Sequence, residues 1–242
     1  MPWGHVRTLL TKVKDVETAL LYAQNCIENG WSRSVLEWQI EQRFHERAGK
    51  AVGNFTKTLP APQSELVQQS LKDPYVFDFL TLAPQAVERD IENQLVAQIT
   101  RFLLELGKGF AFLGRQYPLT VNGRDYFLDL LFYHTRLKCY VVIELKAGEF
   151  KPEYIGKLNF YLSAADDQLR APDDQPTIGL ILCKDKDKLD VEYALRDIHK
   201  PMGVSSFIGK EIPLSVQSQL PSVEDIEIEL AAQVRRDNEA AE

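Results

Sequence analysis

The sequence predicts an α/β protein, α+β in arrangement, with a mixed central sheet flanked by helices and a small helical domain in front of it. Three observations carry that expectation. Residues 1 to 60 show helical patterning; a later helix-period stretch is followed by three strand-like runs; and a further helix and an all-apolar run come after these, giving an αβββαβ order. With 45% apolar residues among 242, the chain has the material for a full core.

In the first 60 residues, Val16, Ala19, Leu20, Ala23 and Ile27 recur at helical spacing. Asp15 is suited to the N-cap and Asn29-Gly30 to the stop. A second helix should follow, opened by Ser34-x-x-Glu37 as a capping box and lined by Leu36, Ile40 and Phe44. Two helices joined by an Asn-Gly turn are compatible with a helix-turn-helix. Arg43, Arg47 and Lys50 fall at i, i+4 and i+7 on the second helix, one basic stripe. It reads as a solvated face, as contacts to nucleic-acid phosphates, or as a homodimer surface. The prolines of "LPAPQSEL" mark a boundary, so the helical domain is placed at 1–60 and a linker at 61–84.

The main domain is placed at 85–210. It should begin with one long helix carrying Val87, Ile91, Leu95, Ile99, Phe102, Leu103 and Leu106, stopped by Gly107 and Gly109. Strands are expected over 111–119, 126–133 and 139–146, the first two joined at Asn122-Gly123. A helix from Pro152 to residue 169, a buried strand over 177–183, a helix over 191–197 and a strand over 204–208 complete the order. Residues 211–242 read as an acidic tail.

A net charge of −7 speaks against holding nucleic acid by bulk electrostatics. The distribution softens that objection. Residues 1–60 hold eight Lys/Arg against six Asp/Glu, whereas residues 222–242 hold two against seven. The chain has no apolar run of membrane length and no signal-peptide order, so a cytoplasmic protein without membrane contact is expected. Cys26, Cys139 and Cys183 read as small buried hydrophobes.

The chemistry concentrates in "YVVIELKAGEF". Glu144 and Lys146 stand two apart, the period of a strand, and so share a face. If the hairpin turns between Arg136 and Leu137, Asp129 lies opposite Glu144 and Lys146 lies one pair along. The reverse face then pairs Leu128 with Leu145, Leu130 with Ile143 and Phe132 with Val141, all apolar. Two carboxylates so placed repel unless a cation lies between them, which calls for a hard divalent ion held by oxygens. Mg2+ fits best, with Mn2+ as the alternative. Lys146 beside it would orient or deprotonate a water, or stabilise charge on a phosphoryl oxygen. A third acid is available from the preceding helix, where Glu88 and Glu92 stand one turn apart. The plainer reading is a surface hairpin with an ordinary ion pair, since E-x-K alone occurs often by chance. Tyr154, Lys157 and Tyr161 share one side of the next helix, with Asn159 near its edge. They either flank a phosphate or, for the tyrosines, fill core. Gln116 and Tyr126 border the same face, and His134 falls in the hairpin turn.

These residues carry a family resemblance. "RDYFLDLLFYH", "CYVVIELKAGEFKPEYIGKLNFYLSA" and "IGLILCKDKD" resemble the PD-(D/E)XK nuclease superfamily, and within it the YhcG-type bacterial members. "WSRSVLEWQIEQRF" is similar to their helical N-terminal domain, which in the family extends further upstream, so that module is expected to be incomplete. The resemblance implies a restriction-endonuclease-like core, a catalytic set of Asp129, Glu144 and Lys146 with Glu92 as the helix acid, and metal ligation by Asp129, Glu144 and Glu92. It departs from the family pattern at Leu128, where proline is usual. The expected function is hydrolysis of phosphodiester bonds in nucleic acid, DNA before RNA, by metal-activated water without a covalent enzyme intermediate. The alternative is a nucleic-acid-binding or assembly module on the same fold that cleaves nothing.

Overall fold

The structure is a computed structural model and describes residues 1–82 and 86–211. Most of the expected acidic tail therefore lies outside the described residues. In chain order the elements are α1 (Trp3–Lys12), α2 (Val16–Asn29), α3 (Arg33–Glu41), α4 (Phe44–Arg47), β1 (Val52–Gly53), α5 (Phe55–Thr58), α6 (Gln63–Ser70) and β2 (Tyr75–Leu82). There follow α7 (Glu88–Ala97), α8 (Ile99–Leu106), β3 (Phe110–Val121), β4 (Arg124–His134), β5 (Cys139–Leu145), α9 (Glu153–Gln168), β6 (Ile178–Cys183), α10 (Lys188–Ala194) and β7 (Met202–Glu211).

The N-terminal helices begin and end on local chemistry. The Asp15 carboxylate accepts the Thr18 N–H at 2.7 Å, and Gly30 closes α2 in the left-handed region at φ 64, as the sequence suggests. The cap of α3 is Ser32, whose hydroxyl accepts the Val35 N–H at 3.3 Å. Ser34 therefore lies inside the helix, and Glu37 pairs with Arg33 at 3.0 Å rather than closing a capping box. The buried face of α2 also differs from the expected one. Val16, Leu20 and Ile27 are 70%, 64% and 68% exposed, while Tyr22 and Cys26 pack with Leu9, Leu36 and Phe44. Tyr22 can be buried because its hydroxyl bonds the His45 ring at 2.9 Å.

The basic stripe does not form. α3 ends at Glu41, and Arg43 adopts the left-handed region at φ 52, which turns α4 off the axis of α3. Arg43 is exposed and pairs with Glu46, and Lys50 is exposed without continuing a helix. Arg47 is buried. Its guanidinium donates to Glu105 at 2.5 Å and to the Pro74 carbonyl at 2.9 Å, so it cannot meet a phosphate at the surface.

The segment expected as a linker is built into the core. β2 runs parallel to β7, and β1 antiparallel to it. Tyr75, Phe77 and Leu80 are buried, with the Phe77 ring 5.3 Å from Phe102 and 5.9 Å from Phe207. Two prolines at 60 and 62 thus punctuate a chain that stays packed, α6 starting directly behind them. The long helix expected after residue 85 is two, broken at Gln98 (φ −112, ψ 36), whose carbonyl restarts α8 by accepting the Phe102 N–H at 3.0 Å. Its apolar stripe is still buried through Ile91, Leu95, Phe102 and Leu106.

Among the described residues the sheet has seven strands in the order β1-β7-β6-β5-β4-β3, with β2 beside β7. β3, β4 and β5 form an antiparallel meander, and β5, β6 and β7 are parallel through α9 and α10. Both faces are covered. α7 and α8 pack on Leu130, Phe132, Ile143 and Leu180, and α9 packs on Leu131, Val142 and Ile181 through Leu158 and Leu162. Gly179 permits the second contact, since a Cβ there would meet Leu158 at 2.7 Å. Cys26, Cys139 and Cys183 are buried free thiols. Among the described residues no helix is long and apolar enough to cross a membrane.

Glu105 joins the helical module to the sheet domain. Fully buried, it takes Arg47 at 2.5 Å, Lys72 at 3.2 Å and the Val76 N–H at 2.9 Å. Glu105→Ala would leave two cations buried without their anion. A loss of about 3–5 kcal/mol in denaturant unfolding is expected, whereas Arg43→Ala at the surface should cost under about 0.5 kcal/mol.

Candidate active site

The register of the β4–β5 hairpin is the one the apolar pattern requires. Leu130 pairs with Ile143, Leu131 with Val142 and Phe132 with Val141. The ladder ends there. Asp129 is not paired across to Glu144 through the backbone; instead its carboxylate accepts the Leu145 N–H at 2.9 Å. The expected Leu128–Leu145 pair is accordingly absent. Leu128 packs on the α9 side with Leu131 and Val142, and Leu145 on the α7/α8 side with Leu130 and Ile143. β3 is irregular beside this point: its register against β4 shifts between Phe112 and Gly114, and Gln116 has φ 44. The β4–β5 pairing stops here, and polar side chains surround the break.

Glu144 points to the α9 side and is 2% exposed. One oxygen accepts from the Lys157 ammonium at 2.8 Å and lies 3.9 Å from that of Lys146. The other, Oε1, is buried and has no hydrogen-bond partner among the described residues. Burial, and then the charge of Asp129, push the Glu144 carboxyl up to about 7, with Lys157 holding it back. The same contact acts on Lys157: burial works against its charge, but the Glu144 carboxylate outweighs this and raises its pKa.

Lys146 leaves the end of β5 and is buried. Its ammonium donates to the Leu145 carbonyl at 2.7 Å, reaches Glu88 of α7 at 3.3 Å and lies 5.1 Å from the centre of the Tyr154 ring. Glu92, also buried, accepts from the Gln116 amide, which reaches Asp129 at 3.4 Å with the same nitrogen. The helix acid is thus tied to Asp129 through Gln116. A cleft of about 850 Å³ opens here between α7 and β3, lined by Glu88, Glu92, Gln116 and Asp129.

Of the remaining candidates, Lys157 stands at Glu144 and Tyr154 at Lys146. Asn159 is half-buried on α9, and its carbonyl takes the Ser163 hydroxyl at 3.1 Å. Tyr126 packs on Phe160, ring centres 4.7 Å apart, and joins the α9 cluster. Arg43, Arg47 and Lys50 do not line the cleft. His134 serves its turn, accepting the Leu137 N–H at 3.1 Å, and burial lowers its pKa to about 4. Sequence patterning missed Arg89 and Arg115. Both line the cleft, Arg115 held at 2.7 Å by Asn93, and single arginines on a helix and a strand carry no pattern that marks them in the sequence.

Among the described residues no three acids, histidines or cysteines are gathered closely enough to hold a metal. The donor chemistry nevertheless fits a hard divalent cation. Two mutually repelling carboxylates, one with an unpartnered buried oxygen, are the ligands Mg2+ or Mn2+ takes, with water completing the shell.

A mixed sheet that brings an aspartate from one strand beside the E-x-K of the next is the arrangement of a PD-(D/E)XK nuclease domain. Residues 68–221 match the family model of the YhcG PDDEXK nuclease domain, and residues 1–47 that of the DUF1016 N-terminal domain. The chain belongs to the YhcG PDDEXK nuclease family. It is 35% identical over 201 residues to the "Putative nuclease YhcG" of Escherichia coli (strain K12), covering 82% of this chain and 54% of that protein. The chain thus spans about half the length of this relative. Among solved structures, a repair endonuclease from Pyrococcus abyssi matches with TM-score 0.35 and 15% identity over 53% of this chain and 49% of that one. A complex of EndoMS with double-stranded DNA matches with TM-score 0.29 and 15% identity over 44% and 38%.

The raised Glu144 pKa sets a pH dependence for the metal-free protein. Folded Glu144 holds its proton up to about 7 and unfolded Glu144 only to 4.5, so stability is present below 4.5 and is lost as pH rises through 7. In chelator, Glu144→Gln should be more stable than wild type at pH 8 by up to about 3 kcal/mol. The gap should close towards pH 4.5. Melting curves across pH 4.5–8 check this, and a gap that does not vary with pH would remove the assignment.

Proposed function

We propose that the chain is a metal-dependent nuclease that hydrolyses phosphodiester bonds of nucleic acid, DNA in the first place, in the cytoplasm. The observation that carries this reading is the buried Glu144 carboxylate, one oxygen unpartnered, set beside the cleft-lining Asp129 and 3.9 Å from the Lys146 ammonium. A divalent ion held by Asp129 and Glu144 would supply polarisation of a phosphoryl oxygen and acidification of a water. The protein's own groups supply the rest. Lys146, fixed by the Leu145 carbonyl, Glu88 and the Tyr154 ring, presents its ammonium to the charge that develops on phosphorus-bound oxygen, or moves the proton of the attacking water. Gln116 ties Asp129 to Glu92 and so restrains the liganding carboxylate. Arg89 and Arg115 on the cleft wall are placed to hold flanking phosphates.

A second reading, a non-cleaving module, is favoured by one contact: Lys157 already neutralises Glu144 without any ion. Labelled DNA and RNA substrates, linear and branched, incubated with Mg2+, Mn2+ or chelator separate the two. Metal-dependent cleavage lost in Asp129→Ala supports the nuclease, and no cleavage of any substrate supports the module.

Two variants probe the roles of the basic groups. Lys146→Ala should slow hydrolysis by about 10²-fold or more while Mg2+ binding by calorimetry stays near wild type; equal losses in both would make Lys146 an anchoring group. Replacing Arg89 and Arg115 together by alanine should lower the slope of log affinity against log salt by about 2. An unchanged slope would return both to the solvated surface.

A further inference from the structure

Lys157 differs from Lys146 in how it is held. The Lys146 ammonium is buried and fixed by a carbonyl, a carboxylate and a ring. Lys157 is 45% exposed, lies 5.0 Å from the centre of the Tyr161 ring, and among the described residues makes its close ionic contact with Glu144. Glu144, by contrast, is sealed from water and repelled by Asp129. One partner of this ion pair can leave and the other cannot.

We propose that Lys157 is a resident counter-cation that occupies the electrostatic place of the metal and exchanges with it. An ammonium bonded to a ligand carboxylate would sit against the entering dication and be repelled by it. The contact therefore opens when the ion binds, and Lys157 swings into the solvent already beside it. The freed ammonium is then available to a nucleic-acid phosphate. Metal binding and phosphate capture become coupled, with the ion entering first. The pair also explains how the buried Glu144 carboxylate is tolerated beside the half-buried Asp129 in a folded, metal-free chain. This inference rests on the metal-dependent reading of the site.

The test uses the whole chain and Mg2+ alone as probe, at pH 8.5 so that Glu144 is ionised. Lys157→Met keeps the apolar stem on Tyr161 and removes the charge. By calorimetry it should bind Mg2+ about tenfold more tightly than wild type, the size of one charge-assisted hydrogen bond. Lys157→Arg, which restores a cation, should bring affinity back towards wild type. Melting supplies a second readout: Lys157→Met should melt below wild type in chelator and level with it in saturating Mg2+. A merely structural ion pair would leave the deficit equal in both conditions and overturns the exchange. Weaker Mg2+ binding by Lys157→Met also overturns it, since the lysine would then orient Glu144 for the ion. If wild type binds Mg2+ and Glu144→Gln abolishes that binding, such results sink the exchange alone. If wild type binds no Mg2+ at all, the metal-dependent reading falls and the exchange with it.

Discussion

The hydrogen bond from the Leu145 N–H to the Asp129 carboxylate is the constraint around which the site is arranged. In a continued ladder that N–H would go to a backbone carbonyl of β4, and the two strands would stay closed to their ends. Taken by a side chain, it ends the pairing at Leu130 and Ile143. That single exchange has three consequences. Leu128 is released to the α9 face, the cleft opens towards α7, and the Asp129 carboxylate is anchored where Glu144 comes up beside it. A half-buried acceptor satisfied by a backbone donor stabilises folding and positions the acid in the same contact.

Around this point the charges form two separate systems with opposite logic. At Glu105, one anion meets two buried cations and a backbone N–H, so both of its oxygens are satisfied and the helical module is bound to the sheet domain. At Glu144, an anion that is equally buried keeps an oxygen without a partner among the described residues, beside a second anion. The first arrangement is complete and the second is not. A stable domain can retain the incomplete one because the complete one, together with two apolar clusters on the faces of the sheet, supplies the stability that it lacks.

Much of this was legible in the chain. Strands β3 to β6, helix α9 and the hairpin register are set by period-2 and period-3.6 patterning. The register was recoverable because a one-residue slip would have exchanged the apolar face for the charged one. Glu144 and Lys146 stood out for the same reason, as charges in a run of strand formers. The features that patterning missed are set by tertiary packing. The α2 stripe at Val16, Leu20 and Ile27 was apolar but lost the core to Tyr22, which offers more area and a hydroxyl that finds a partner. Arg47 looked like surface charge because its partner Glu105 lies far along the chain. The helix spacing that made it part of a stripe was interrupted at Arg43, whose left-handed backbone has no residue-type signal. The supposed linker held aromatic strand residues that the flanking prolines made easy to discount.

Leu128 shows how a departure from a family pattern can be absorbed. A proline before the aspartate has no N–H to give and so helps to break a ladder by its own chemistry. Leu128 keeps its N–H and stays paired with Tyr117 on β3, so here the break cannot come from that residue. It comes from the other side, through the Asp129 carboxylate on the Leu145 N–H. The leucine adds what a proline could not, a large side chain buried among Leu119, Leu131 and Val142 under α9. Packing thus holds β4 on the α9 side of its break, and a hydrogen bond defines where the break falls. The acid can sit at the same place in the fold without the residue that usually precedes it, because the position is fixed by where β4 parts from β5.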